Sequence, residues 1–496
     1  MHPQLSLVLL LVLALAACAS ARDVFSDTWV AHDGLHRTLA TGDTVGGPRE
    51  GKAVGMFYWL WHTHSAGNRA VNIQAVLDEH PEAMEDPDHP AWGPLYAHHW
   101  WNEPVFGFYR NTDEWVARKH GEMLADMGVD VIIIDATNGE LTWEEGYETI
   151  FRVWSEAKRD GVDTPKLAFM CAFAPINNIV MKLYENLYSK GIGEEHWFYW
   201  KGKPLIMAYP DNVPEPARSF FTFRPGQPLY HTGPVRDDQW GWLEIYPQHG
   251  FAPTEDGGFE QATVGVAQNY SEMKNGGNTA QFTWPGSFGR SYHGGHQDPD
   301  AAAMYYGMNF QEQWERGLEI DPEFLFITGF NEWTAMRFPY NDRHWGGQPV
   351  GFVDQFNNDK SRDVEPTKGR LMDHFLYQTA HGIRRYKGAR TACGPSEPRT
   401  IQIGGGPDQW RDVGPEFRAH RGLMDRNHPG AGDLHYTNDT ARNDIIASKV
   451  CRDEEYVYFQ VETAEDLSDP SGASWMWLFL NSDRNPNTGW AGYEVI

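Results

Sequence analysis

The chain has 496 residues and a formal net charge of −27, from 41 Lys and Arg against 68 Asp and Glu. That balance excludes nucleic acid, whose phosphates are met by clustered cations, and it disfavours anionic membrane surfaces and strongly anionic polysaccharides as partners. At 41% hydrophobic and 22% charged residues, the composition is that of a soluble globular protein with room for one large domain and a smaller second one.

Residues 1–22 read as an export segment rather than as part of the fold. Leu5–Ala17 is an apolar run too short to span a bilayer, and Leu15-Ala16-Ala17-Cys18 matches a bacterial lipobox. The expectation is a lipoprotein-type signal with Cys18 acylated. The protein would then be exported to the periplasm or cell surface of a bacterium and touch the membrane through that lipid alone. The first four residues depart from such leaders in having no Lys or Arg. Cys171, Cys393 and Cys451 are far apart, show no C-x-x-C spacing and predict neither a zinc site nor a disulfide framework.

Gly51–Trp61 predicts the first strand, followed by His62-Thr63-His64. A long Trp- and His-rich connection then passes through His98-His99-Trp100-Trp101-Asn102-Glu103, and loops of that length in a compact domain are usually functional. Asp113 predicts the N-cap of an amphipathic helix that Gly128 ends. The β-branched run Val129–Asp135 predicts a buried parallel strand, with Ala136-Thr137-Asn138 at its C-terminal end. Helices are predicted over 143–160, 178–188, 302–317 and 367–387. Further strands are predicted over 167–173, 205–209, 220–223, 241–245, 263–267 and 324–327. Eight strands alternating with helices predict an α/β fold, a (β/α)8 barrel of TIM type over residues 23–392, although no helix separates the strands near 220 and 241. An open doubly wound sheet is less favoured because no Gly-x-Gly-x-x-Gly turn follows the early strands. From Cys393-Gly394-Pro395-Ser396-Glu397-Pro398 the composition shifts to short strands at 400–403, 445–450, 456–461 and 475–480. These predict an antiparallel β-sandwich over 398–496, cut off in mid-strand at Ile496.

The strand 324–327 runs into Asn331-Glu332-Trp333. In a parallel barrel, residues just past a strand's C-terminal end face the active-site mouth, which makes Glu332 the first candidate catalytic carboxylate. Asp135 ends another strand at the same mouth, or else caps the turn through Thr137 and Asn138. Glu244 lies among Trp240, Trp242 and Tyr246, a setting that favours its protonated form. The chain is rich in aromatics, with 21 Trp, 21 Tyr and 26 Phe, and exposed rings suit the C–H faces of sugars. Trp59, Trp61, Trp100, Trp101 and Trp333 are candidate stacking rings, with core packing as the alternative for each. His62, His64, Asn138 and Asn331 are candidate hydroxyl partners. A metal at His62, His64, His98 and His99 is less favoured than hydroxyl binding. Asp483, Asn485 and Asn487 place oxygens at alternate positions as calcium loops do, with a polar β-turn as the other reading. No other cofactor is expected.

Phe330-Asn331-Glu332-Trp333, with Phe57-Tyr58-Trp59 and the strand ending at Asp135, resembles glycoside hydrolase family 99 and its distant family 71 relatives over roughly residues 33–390. The resemblance implies a (β/α)8 glycosidase acting on an oligosaccharide or polysaccharide. It also implies for Glu332 the role of a base acting through the sugar's own 2-hydroxyl. The family's second glutamate, its general acid, stands three residues after the first; here that position is Ala335. Asp135 and Glu244 are the candidates for the missing partner. Trp410, Ala441-Arg442-Asn443-Asp444 and Asp483–Trp490 resemble a family 9-like carbohydrate-binding module. The alternatives are a non-catalytic glycan-binding surface lipoprotein, which Ala335 favours, and a glycosyltransferase-related barrel, since fold alone does not fix function.

Overall fold

The computed structural model describes residues 22–23, 26–65, 69–422, 424–440, 442–472, 475–483, 485, 488–490 and 493–495. The expected acylation site Cys18 and the calcium candidate Asn487 lie outside these residues, as does the side chain of His64.

Eight short strands overlap the predicted ones, though β6 keeps only Gly241 of 241–245 and β7 starts four residues before 263: β1 (Ala53–Tyr58), β2 (Val131–Ala136), β3 (Lys166–Cys171), β4 (Lys203–Met207), β5 (Thr222–Phe223), β6 (Trp240–Gly241), β7 (Phe259–Gly265) and β8 (Phe324–Thr328). Seven of them pair in parallel, in the order β7-β8-β1-β2-β3-β4-β5. Phe251–Pro253 on β7 and Tyr199–Trp200 on β4 add antiparallel edges. The sheet curls but is not closed by strand pairing, which corrects the expectation of a complete barrel. β6 pairs instead with Gly226–Gln227 in a separate two-stranded ribbon. The physical reason lies in the intervening segment, where Pro225, Pro228 and Pro234 have no N–H to give to a ladder. A side chain spans the gap: Gly241 N–H donates to Gln261 Oε1 at 2.8 Å, and Gln261 Nε2 donates to Gly241 O at 3.1 Å.

The two-residue strand period sorts the core into two layers. Phe57, Val131, Ile133, Ala168, Met170, Met207, Phe324 and Phe326 fill the concave side. Val54, Met56, Ile132, Ile134, Phe169, Ile206, Leu325 and Ile327 pack outward against helices. The same period sends Asp135 to the concave side. The main helices are α1 (Glu114–Met127), α2 (Glu144–Arg159), α3 (Asn178–Asn186), α4 (Met308–Ile320) and α5 (His374–Lys387). Asp113 caps α1 by accepting from Val116 N–H at 3.3 Å, and Gly128 ends it with φ 87°. The helix predicted over 302–317 is broken at Gly307, where φ is 60°. The one predicted from 367 begins only at His374.

Beyond residue 392, Glu416–Arg418, Ile445–Arg452 and Val457–Thr463 form an antiparallel sheet, with Arg22–Asp23 parallel on its edge. Arg426–Pro429 and His435–Asn438 form a hairpin. The two-layer sandwich is not seen among the described residues. Thr400–Ile403 is not a strand, because Gly404-Gly405-Gly406 turns the chain away, and 475–480 ends in one bridge between Leu480 and Val495. The hairpin docks on the larger unit. Arg426 reaches Asp113 Oδ2 at 2.8 Å, and Phe108 N–H donates to Tyr436 Oη at 2.8 Å.

Candidate active site

Past β8 the chain is clamped on both sides. Phe330 N–H donates to Phe57 O at 2.9 Å, and Glu365 N–H donates to Phe330 O at 3.0 Å. These bonds fix the Glu332 backbone, whose N–H donates to Asp363 Oδ1 at 2.5 Å. Three donors converge on Glu332 Oε2: Arg362 Nη2 at 2.5 Å, Arg362 Nε at 3.0 Å and Gln355 Nε2 at 2.9 Å. Oε1 carries no hydrogen bond among the described residues. Burial raises the Glu332 pKa well above the usual carboxylate range; Arg362 opposes that shift, while Asp354 and Asp363 add to it.

Arg362 serves a second carboxyl group. Its Nη1 donates to Asn269 Oδ1 at 2.8 Å, and its Nη2 lies 3.5 Å from Asp354 Oδ1. Because Glu332 Oε2 and Asp354 Oδ1 both reach the same nitrogen, they are at most 6.0 Å apart, the sum of the two distances. The side chain of Asp354 is 38% exposed where Glu332's is 3%. Desolvation raises the Asp354 pKa against the pull of Arg362. Burial pushes Asp363 up to about 7.

Asp354 opens onto a cleft of about 670 Å³ at the C-terminal ends of the strands. Trp61 follows β1, Asn138 follows β2, Phe173 follows β3, Trp242 follows β6 and Asn269 follows β7, and all of them line it. Trp242 packs against Phe173 and Tyr230, with ring centroids 5.8 and 5.5 Å away, and Arg362 lies 5.7 Å from its centroid. The lining combines aromatic faces, amides and one carboxyl group, which suits an uncharged polyhydroxylated ligand.

The other sequence candidates divide. Trp61 and Asn138 line the cleft. Asp135 is 3% exposed and accepts from Thr137 N–H at 3.1 Å, Thr137 Oγ1 at 2.8 Å and Asn138 Nδ2 at 3.0 Å. It therefore caps the turn that presents Asn138, and burial pushes it up to about 6, with Asp354's charge adding. Glu244 is fully buried outside the cleft lining, accepting from His249 N–H at 3.0 Å and paired with His249 Nδ1 at 2.8 Å. Trp59, His62, Trp100, Trp101, Asn331 and Trp333 are all buried, so the expectation of ligand-facing groups at these positions is corrected. Asn331 clamps the backbone of Trp59 through N–H and O, at 2.9 and 3.2 Å. Trp101 and Trp333 stack on each other at 4.8 Å, their indole N–H groups donating to Asp363 and Glu365. His62 packs against Trp100 and Tyr109. Asp483 accepts from Asn485 N–H at 2.8 Å and from Thr488 Oγ1 at 3.0 Å, which is turn geometry.

Ala335 has a structural consequence of its own. On the strand Thr334–Phe338 it faces a core of Trp92, Val350 and Phe352, whereas Met336 lines the cleft. A carboxylate at 335 on this backbone would face away from the cleft. The groups that sequence reasoning missed, Asp354, Gln355, Arg362 and Asp363, come from one polar loop whose only signal was a dense run of charged and amide residues after the Glu332 motif.

No protein-family model matches the chain, and no curated protein matches it. Among solved structures the chain is similar to an endo-alpha-mannosidase of family GH99 from Bacteroides thetaiotaomicron, seen with BIS-TRIS-propane. That match has a TM-score of 0.38 and 14% identity over 68% of this chain and 97% of the other. A second structure of a GH99 endo-alpha-mannosidase from the same organism gives 0.38 and 15% over 68% and 98%. A glycoside hydrolase-like protein gives 0.38 and 12% over 68% and 94%. Likenesses at this level carry no argument about chemistry, which rests on the residues of the cleft.

Proposed function

We propose that the chain is a glycoside hydrolase acting on a neutral or weakly charged oligosaccharide or polysaccharide. Residues 23–392 form its catalytic unit, and 398–496 form an accessory glycan-binding unit. The protein is exported and anchored through Cys18. The observation that carries the reading is a pair of carboxyl groups, Glu332 and Asp354, sharing one guanidinium beside an aromatic cleft at the strand C-termini. Glycoside cleavage needs such a pair, one member protonated for the leaving oxygen. Asp354, which faces the cleft, is the acid, and Glu332, held behind it by Arg362, is the partner carboxylate. Arg362 stabilises whichever member is ionised. A separation of about 5–5.5 Å belongs to retaining enzymes and ~6.5–9.5 Å to inverting ones, and the 6.0 Å upper bound between the nearest oxygens supports retention.

Glu332→Gln and Asp354→Asn, assayed beside the parent on a glycan panel, should each lower kcat by about 10²–10⁴-fold while calorimetric binding persists. Full hydrolysis by both variants would overturn the assignment. The second reading is a non-catalytic glycan-binding protein. It is favoured by one observation, the 2% exposure of Glu332 with three donors on Oε2. Binding by the parent without turnover across the panel would support it.

A further inference from the structure

We propose that His80, Glu82 and His89, outside the cleft, form a binding site for a divalent transition metal of the zinc class. Their ligand atoms all lie within 4.8 Å of one another. Glu82 Oε1 is 3.4 Å from His80 Nδ1 and 3.7 Å from His89 Nε2. The two imidazole centroids are 4.9 Å apart. In a tetrahedral zinc site with bonds of about 2.0–2.2 Å, neighbouring ligand atoms stand roughly 3.4 Å apart. Small side-chain rotations therefore close the cluster on an ion.

The backbone holds the three donors in place independently of one another. His80 closes the helix Ile73–Glu79, its N–H donating to Val76 O at 2.8 Å, and opens the 3₁₀ turn Pro81–Met84 that carries Glu82. His89 caps the next 3₁₀ turn, Pro90–Trp92. The fully buried Trp92 bolts the two turns together through its indole N–H, which donates to Ala83 O at 2.8 Å. Residues 78–89 carry Asp78, Glu79, Glu82, Glu85, Asp86 and Asp88 without a single Lys or Arg, so the local field draws cations. Two imidazoles with one carboxylate select zinc-class ions over calcium or magnesium, which take oxygen ligands. The side chains of Glu82 and His80 are 64% and 43% exposed, which leaves an entry path and a fourth position for water. There is a cost. Ala91 N–H donates to His89 Nδ1 at 3.3 Å, and metal on Nε2 would move the ring proton to Nδ1, exchanging that long bond for coordination.

The consequence reaches the cleft. Pro87 O and Gly93 O accept from the Arg337 guanidinium, on the same strand as Met336 and Phe338 in the cleft wall. A bound ion would fasten the segment that anchors this strand.

The test uses the full chain stripped with chelator, then dialysed against Zn²⁺, with metal analysis, thermal unfolding and the visible spectrum of the Co²⁺ form. The expected result is one retained Zn²⁺ per chain above the level held by the His80→Ala/His89→Ala double variant. A rise in Tm with Zn²⁺ but not Mg²⁺ and intense tetrahedral Co²⁺ bands in the parent should accompany it. Glu82→Gln should weaken binding at least tenfold. Equal uptake by parent and double variant overturns the proposal. So does a weak, octahedral Co²⁺ spectrum of the parent, which decides the question even where a variant fails to fold.

Discussion

Replacing Arg362 by methionine would leave the buried Glu332 without the guanidinium that reaches its Oε2 through two nitrogens. Breaking a buried pair from one side costs about 3–5 kcal/mol. Because Glu332 can take up a proton, we expect the lower end, ~3 kcal/mol in urea unfolding at neutral pH, with a smaller loss under acid conditions. Asp135 makes a separate prediction. Its carboxyl is raised from 3.8 to about 6 in the fold, so the unfolded chain releases that proton first as pH rises. Its contribution to stability is complete below pH ~4 and is lost between pH ~4 and ~6, by about 3 kcal/mol. Unfolding of Asp135→Asn and the parent across that window should show the variant gaining on the parent as pH increases. An unchanged difference would mean that Asp135 ionises normally. Single residues were also where sequence alone said least about side. Trp59, Trp101 and Trp333 read as candidate platforms although core packing is the commoner fate of a single Trp, because ring content does not say which face meets water, and the partners that bury them lie on distant segments.

At the level of elements, the parallel sheet depends on a close approach between β1 and β8. A Cβ on Gly55 would come within 2.5 Å of Phe324 Cζ, and that ring is itself wedged against Trp240 and Trp200. Gly55→Ala should therefore destabilise the fold by about 1–3 kcal/mol through overpacking, measurable as a lower urea midpoint with unchanged m. Strands were the most legible elements, since a β-branched run such as Val131–Ile134 is dictated by its own residues. β6 and its ribbon were less so, because their pairing depends on where three prolines deny a ladder. The loop that supplies Asp354 and Arg362 was not legible at all. It has no period, and its meaning comes from landing opposite Glu332 in space. The place of Glu332 just past a strand end was legible, since it follows directly from that strand; its burial behind Arg362 and Gln355 was not.

At the scale of the whole molecule, the C-terminal hairpin is held to α1 by a buried contact between Arg426 and Asp113, with the guanidinium 4.3 Å from the Tyr436 ring centroid and 5.1 Å from that of Trp115. Arg426→Ala should loosen this attachment, costing about 3 kcal/mol. Limited proteolysis should then cut between the two units earlier than in the parent, while the larger one survives. The position of Arg362 beside Trp242 has a wider consequence. Any molecule that seats itself on the cleft side of Trp242 meets the ring whose centroid lies 5.7 Å from the guanidinium, and that cation lowers the proton affinity of Glu332 and Asp354 against the larger effect of their burial. Occupancy and protonation are thus one linked equilibrium. Filling the cleft should take up or release a fraction of a proton, seen as binding heats that change with the ionisation enthalpy of the buffer.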